Sequence, residues 1–167
     1  MTPPPLSLEL SLATPAHTRQ LAHSLGGLLS RGHCMALCGP LGAGKTLFVK
    51  AAAEGMGLPS GLLSSPSFAI AHSYESPQGG VFHTDFYRLN SMEELYMAGI
   101  FDHPWADSIS FVEWADKFPA ALPEGFLLLR FSFAGEEEGA RKLSALAHGG
   151  VHERLLKNWI SLLKNAP

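Results

Sequence analysis

The chain has 167 residues, 46% of them apolar and 16% charged, a balance that excludes intrinsic disorder and fits a single domain over residues 1–167. The net charge is −3, from 12 basic and 15 acidic residues spread along the sequence. That excludes an autonomous nucleic-acid surface, so RNA would be met only indirectly, through a partner. No apolar run approaches the ~20 residues of a membrane-spanning helix, and the N-terminus lacks the basic and apolar regions of a signal peptide.

Residues 1–5 read as a short disordered leader. Leu6, Leu8, Leu10 and Leu12 alternate with Ser7, Glu9 and Ser11, the period of a half-buried strand. Thr14–Pro15 reads as an N-cap followed by proline at the first helical position. Leu21, Leu25, Leu28 and Leu29 give that helix its apolar face, and Arg31–Gly32 closes it. Cys34–Cys38 is apolar throughout, as a central parallel strand requires. If it is extended, the two cysteine Cα atoms are ~13 Å apart at ~3.3 Å per residue, too far for a disulfide. Free buried thiols and a cytoplasmic location are expected.

A glycine-rich turn and a helix over residues 45–57 follow. Residues 68–74 and 81–87 read as strands, joined across Pro77, Gly79 and Gly80 by a hairpin loop longer than the tight two-residue type. Ser91 starts another helix, with Glu94 placed for a capping box. Ile109–Glu113 and Phe126–Phe133 read as strands separated by a Pro-rich loop. Glu136–Glu138 reads as a solvated turn, and residues 151–163 as a closing amphipathic helix. The expected fold is α/β: a P-loop NTPase-like, mostly parallel sheet with one antiparallel hairpin and flanking helices.

The sequence Gly39-Pro40-Leu41-Gly42-Ala43-Gly44-Lys45-Thr46 matches G-x-x-x-x-G-K-[ST], and it stands between a buried strand and a helix. Glycines let successive backbone N–H groups converge on phosphate oxygens, and the helix dipole adds to that field. Lys45 is then expected on the β- and γ-phosphates, and the Thr46 hydroxyl on Mg²⁺. Such a loop also needs a carboxylate for the metal shell and a group that orients the nucleophile. Glu113 ends an apolar strand, as the acid of a Walker B strand does. Asp85 lies in His83-Thr84-Asp85-Phe86-Tyr87-Arg88. The eight histidines show no zinc-ligand spacing. His83 alone sits inside a motif, with structural and catalytic roles both open. Trp114 is expected in the core, and Tyr87–Arg88 as either a packing pair or an interface anchor.

The order GPLGAGKT (39–46), SPSF (65–68), HTDFYRL (83–89), VEW (112–114) and RKL (141–143) resembles the TsaE family, formerly YjeE. These are bacterial P-loop ATPases accessory to threonylcarbamoyl-adenosine formation in tRNA. The resemblance implies ATP held by Gly39, Leu41, Gly42, Ala43, Gly44, Lys45 and Thr46, and Mg²⁺ held by Thr46 and Glu113. It implies Ser67 on a switch-like loop near the γ-phosphate and Asp85 orienting the hydrolytic water or the metal shell. Thr18 matches a position near the adenine, and Arg141 one near the nucleotide. The implied partners are the threonylcarbamoyl-transferase subunits TsaD and TsaB. The family usually carries threonine at the position of Ser67 and an acid at that of Pro40; neither change removes a nucleotide ligand.

Two other functions compete. A small-molecule or nucleotide kinase would share the loop, but it needs an arginine-rich lid, and the six arginines here never cluster. A GTPase-like switch would need an N-K-x-D segment, which the sequence lacks.

Overall fold

Leucine alternation builds the first strand as expected: β1 (Ser7–Leu12) turns Ser7, Glu9 and Ser11 to solvent and its leucines inward. The computed structural model describes residues 4–66, 68–135 and 138–166, so part of the N-terminal leader and of the three-glutamate run lies outside the described residues. Thr14 caps α1 (Pro15–Gly26) by accepting a hydrogen bond from the His17 N–H, with Pro15 at the first position. The helix ends at Gly26, short of the expected Arg31–Gly32. Leu28 and Leu29 continue it only as i→i−3 turns, and the Gln78 side-chain amide donates to the carbonyls of Gly26 (3.2 Å) and Leu29 (2.6 Å). A distant side chain thus caps the helix where the leucine pattern alone would extend it.

β2 (Cys34–Cys38) is buried at all five positions, and both cysteines are free. α2 (Lys45–Gly55) packs on α1 through glycine at two points. A Cβ on Gly26 would lie 2.0 Å from the Ala52 carbonyl oxygen, and one on Gly55 would lie 2.1 Å from that of His23. β3 (Ala71–Ser76) and β4 (Gly79–Asp85) form the hairpin with a loop of only Pro77–Gln78, tighter than the sequence suggested. Gly79 and Gly80 belong to the ladder: the Ser76 hydroxyl donates to the Gly79 carbonyl (2.7 Å) and accepts from the Gln78 N–H (3.2 Å). Ser91 caps α3 (Met92–Met97) by accepting from the Glu94 N–H, while Glu94 reaches back to the Asn90 N–H.

β5 (Ile109–Glu113), β6 (Phe126–Phe133), β7 (Arg141–His148) and α4 (Gly150–Lys164) complete the order. The seven strands form one sheet in the order β1-β7-β6-β2-β5-β4-β3. β6–β2, β2–β5 and β5–β4 are parallel pairs; β1–β7, β7–β6 and β4–β3 are antiparallel. The expectation of a mostly parallel sheet is therefore corrected to an α/β fold on a mixed sheet. The difference lies in β7, whose sequence signal is weak because it buries only Leu143, Ala145 and Ala147, and alanine favours strands little. Once β7 is present, it joins β1 and β6 antiparallel.

Helices α1, α2 and α4 cover one face, where Leu25, Phe48, Leu156 and Trp159 meet Leu127, Leu129 and Leu143. On the opposite face Cys34, Ala36 and Val112 pack against Phe86, Leu95 and Ile100. The three parallel pairs place the C-terminal ends of β2, β4 and β5 side by side, the usual location of ligand sites in α/β sheets.

Candidate functional site

The chain leaves β2 at Cys38 and must turn at once into α2. Gly39 makes that possible: at φ 139° its Cα approaches β6 so closely that a Cβ would lie 2.5 Å from the Phe131 carbonyl oxygen. Gly42 and Gly44 also hold positive φ angles of 79° and 104°, and Gly44 is the N-cap of α2. The first-turn amides of α2, with the positive end of its dipole, face outward from this turn. Lys45 folds back over the turn. Its ammonium donates to the carbonyls of Gly39 and Pro40 and lies 4.2 Å from the centroid of the Trp114 ring. Burial lowers the Lys45 pKa, while Glu113, Asp85 and Asp116 oppose that shift. Arg141 braces the turn from β7 by donating to the Gly42 carbonyl at 3.1 Å.

Asp85 and Glu113 are register partners at the ends of β4 and β5. Paired residues of parallel strands point to the same face, so the two carboxyl groups come together from one strand end each. Glu113 is 2% exposed, and its two oxygens are held separately. Oε2 accepts from the Thr46 hydroxyl at 2.8 Å and Oε1 contacts His83 Nε2 at 2.8 Å. Asp85 accepts from the Tyr87 N–H at 2.8 Å. Burial holds the Asp85 pKa above the ordinary carboxylate value, and the nearby Glu113 adds to the rise; the Tyr87 N–H, His83 and Lys45 pull against it.

A cleft of about 470 Å³ opens over these groups, and Leu41, Gly42, Gly44, Lys45, Thr46, Asp85 and Glu113 all line it. Gly39 and Ala43 shape the turn from behind: the Ala43 methyl is in the core and its N–H is taken by the Pro40 carbonyl at 3.1 Å. A hydroxyl and a carboxylate 2.8 Å apart form a hard oxygen pair that fits Mg²⁺, and a helix N-terminus with a lysine over it fits a polyphosphate.

Arg141 reaches the turn, whereas Thr18 does not line the cleft. It is buried in α1, where its hydroxyl donates to the Thr14 carbonyl at 3.4 Å. Ser67 lies outside the described residues. Trp114, expected in the core, is half-buried and lines the cleft, in the left-handed region at φ 56°. Its place directly after the strand-ending Glu113 was the signal that could have found it. Tyr87 and Arg88 line the cleft as well, with the Tyr87 ring 4.9 Å from that of Trp114.

A family profile described as "Threonylcarbamoyl adenosine biosynthesis protein TsaE" matches residues 12–143. A Bacillus subtilis protein named tRNA threonylcarbamoyladenosine biosynthesis protein TsaE is 30% identical over 148 residues, covering 89% of this chain and 90% of that one. The Haemophilus influenzae protein of the same name is 34% identical over 129 residues, 77% of each chain. The crystal structure of Bacillus subtilis YdiB superposes with a TM-score of 0.75 at 27% identity, covering 98% of this chain and all of that one.

Proposed function

The chain belongs to the TsaE family, and on that premise we propose that it is a Mg²⁺-dependent P-loop ATPase accessory to threonylcarbamoyladenosine formation in tRNA. Its nucleotide state would drive assembly and turnover of the modifying complex, with TsaD and TsaB as partners. The observation that carries this reading is the convergence of Lys45, Thr46, Glu113 and Asp85 in one cleft at the N-terminus of α2.

Each residue has a task that its surroundings suit. The amides at the start of α2 and the Lys45 ammonium bind the phosphates. To do so, Lys45 exchanges the carbonyls of Gly39 and Pro40 for phosphate oxygens. Thr46 and Glu113 hold Mg²⁺, which neutralises charge on the phosphates. Asp85 takes a water by the oxygen that does not accept from Tyr87 and orients it, and its raised proton affinity makes the ionised form a stronger base. Ser67, by resemblance, and Arg141, from its contact with Gly42, complete the phosphate side. Thr18 is assigned to the adenine side by resemblance alone, since it is buried in α1 and does not line the cleft.

A kinase would surround the transferred group with arginines, but among the described residues only Arg88 lines the cleft, and Arg141 meets the turn at the Gly42 carbonyl. The test is phosphate release from ATP by the purified chain, alone and with TsaD, TsaB and tRNA. Release that rises with the partners and leaves no phosphorylated acceptor is expected. A phosphorylated small-molecule product would replace the ATPase reading with a kinase.

A further inference from the structure

His83 is fully buried in the middle of β4, between β3 and β5, and its backbone is held by ladders on both sides. It lies two residues before Asp85, so both side chains project to the face that carries Glu113. Its Nε2 is 2.8 Å from Glu113 Oε1, which makes Nε2–H the donor and leaves Nδ1 buried with no hydrogen-bond partner among the described residues. Packing alone would favour an apolar ring here, because a ring nitrogen buried without a partner costs stability. What the imidazole adds is the contact to Glu113.

That contact divides the labour of one carboxylate. With Oε1 committed to an immobile ring, Oε2 is the oxygen left facing the Thr46 hydroxyl and the cleft. A carboxylate tethered at one oxygen cannot rotate to present the other, and it cannot turn away when Thr46 changes partner. We propose that His83 is the positioning residue for Mg²⁺ binding: through Nε2–H it fixes the Glu113 carboxylate so that Oε2 is presented to the metal. The inference rests on the nucleotide-site reading above and assigns His83 no contact with nucleotide or metal.

The test compares His83→Phe, which removes the donor, with His83→Gln, which restores an N–H donor near the position of Nε2. ADP is titrated into each variant by calorimetry, with and without Mg²⁺, alongside a melting curve. Loss of a hydrogen-bonding partner behind a metal ligand typically lowers metal affinity ~10–100-fold. His83→Phe should lose that much of the Mg²⁺ dependence while keeping its metal-free ADP affinity, and His83→Gln should recover most of the loss. Equal impairment of both variants, or a His83→Phe protein with wild-type Mg²⁺ dependence, would overturn the proposal. Nitrogen NMR of the nucleotide-free wild type gives a readout that does not depend on variant folding: Nε2–H is expected, and an Nδ1–H tautomer would overturn the assignment. A wild-type chain that binds no ADP would remove the nucleotide-site reading itself, whereas wild-type binding beside an unaffected His83→Phe removes only this inference.

Discussion

Asp85 and Glu113 are adjacent carboxylates with different surroundings, and the difference predicts separable phenotypes. Glu113 is committed at both oxygens, to Thr46 and His83, at the base of the cleft. The Asp85 carboxylate lines the cleft and accepts, among the described residues, from the Tyr87 N–H alone. Losing a positioned electrostatic group costs ~10²–10³ in rate. Asp85→Ala should therefore lose that much single-turnover hydrolysis while retaining most of its ATP affinity, because the proposed phosphate contacts are Lys45 and the backbone amides at the start of α2. Glu113→Ala should lose hydrolysis and Mg²⁺ dependence together. Single-turnover rates and ATP affinities of the two variants separate the roles, and wild-type hydrolysis in Asp85→Ala would leave Asp85 as a strand residue only.

At the scale of elements, α1 and α2 pack closely through Gly26 against Ala52 and Gly55 against His23. A methyl group at either glycine meets backbone that cannot swing aside, so Gly26→Ala should destabilise the protein by about 1–3 kcal/mol despite its better helix propensity. Denaturant unfolding reads this directly, and a gain in stability would show that the helices separate freely. Because α2 carries Lys45 and Thr46, its seating on α1 also sets the cleft. The sequence carries no trace of this contact, since both glycines fall inside helices expected to run on to Arg31–Gly32 and to residue 57. By contrast β1, β2 and β5 were legible because their apolar period or run is strong, and the turn at Gly39–Thr46 because its glycines are spaced for one backbone path. β7 and the true end of α1 were not legible: alanines define the one, and Gln78, about fifty residues away in the chain, caps the other. In the site, Lys45, Thr46, Asp85 and Glu113 were each legible from strand-end or motif position. The cleft role of Trp114 and the His83–Glu113 contact depend on strand register, which one sequence does not encode locally.

Over the whole molecule, buried histidines set the response to acid. His152 is 2% exposed, and its Nε2 accepts from the Cys34 N–H at 3.0 Å. Burial first, and then the charge of His33, lowers its pKa from 6.5 to about 4, against a backbone hydrogen bond to His148 that raises it. Burial likewise lowers the pKa values of His33 and His103. A depressed histidine pKa means that the unfolded chain takes up the proton first. The stability is thus fully present above pH 6.5 and is lost as pH falls towards about 4, on the order of 3 kcal/mol for His152. Asp85 acts in the opposite sense, its raised pKa favouring the fold at low pH. Melting temperatures should fall between pH 6.5 and 4, and fall less in His152→Gln, which keeps an acceptor for the Cys34 N–H. An identical pH profile in that variant would exclude His152 as the cause.

The assignment of the cleft as a Mg²⁺-nucleotide site depends above all on Lys45, the cation that folds over the turn at the start of α2. Calorimetric titration of Mg²⁺-ATP into wild-type and Lys45→Ala protein measures it most directly. A charge-assisted hydrogen bond of about 1.5–3 kcal/mol corresponds to a ~10–100-fold change in affinity. The wild type should bind, and a folded Lys45→Ala variant should bind at least that much more weakly; equal affinity in the two would contradict the assignment.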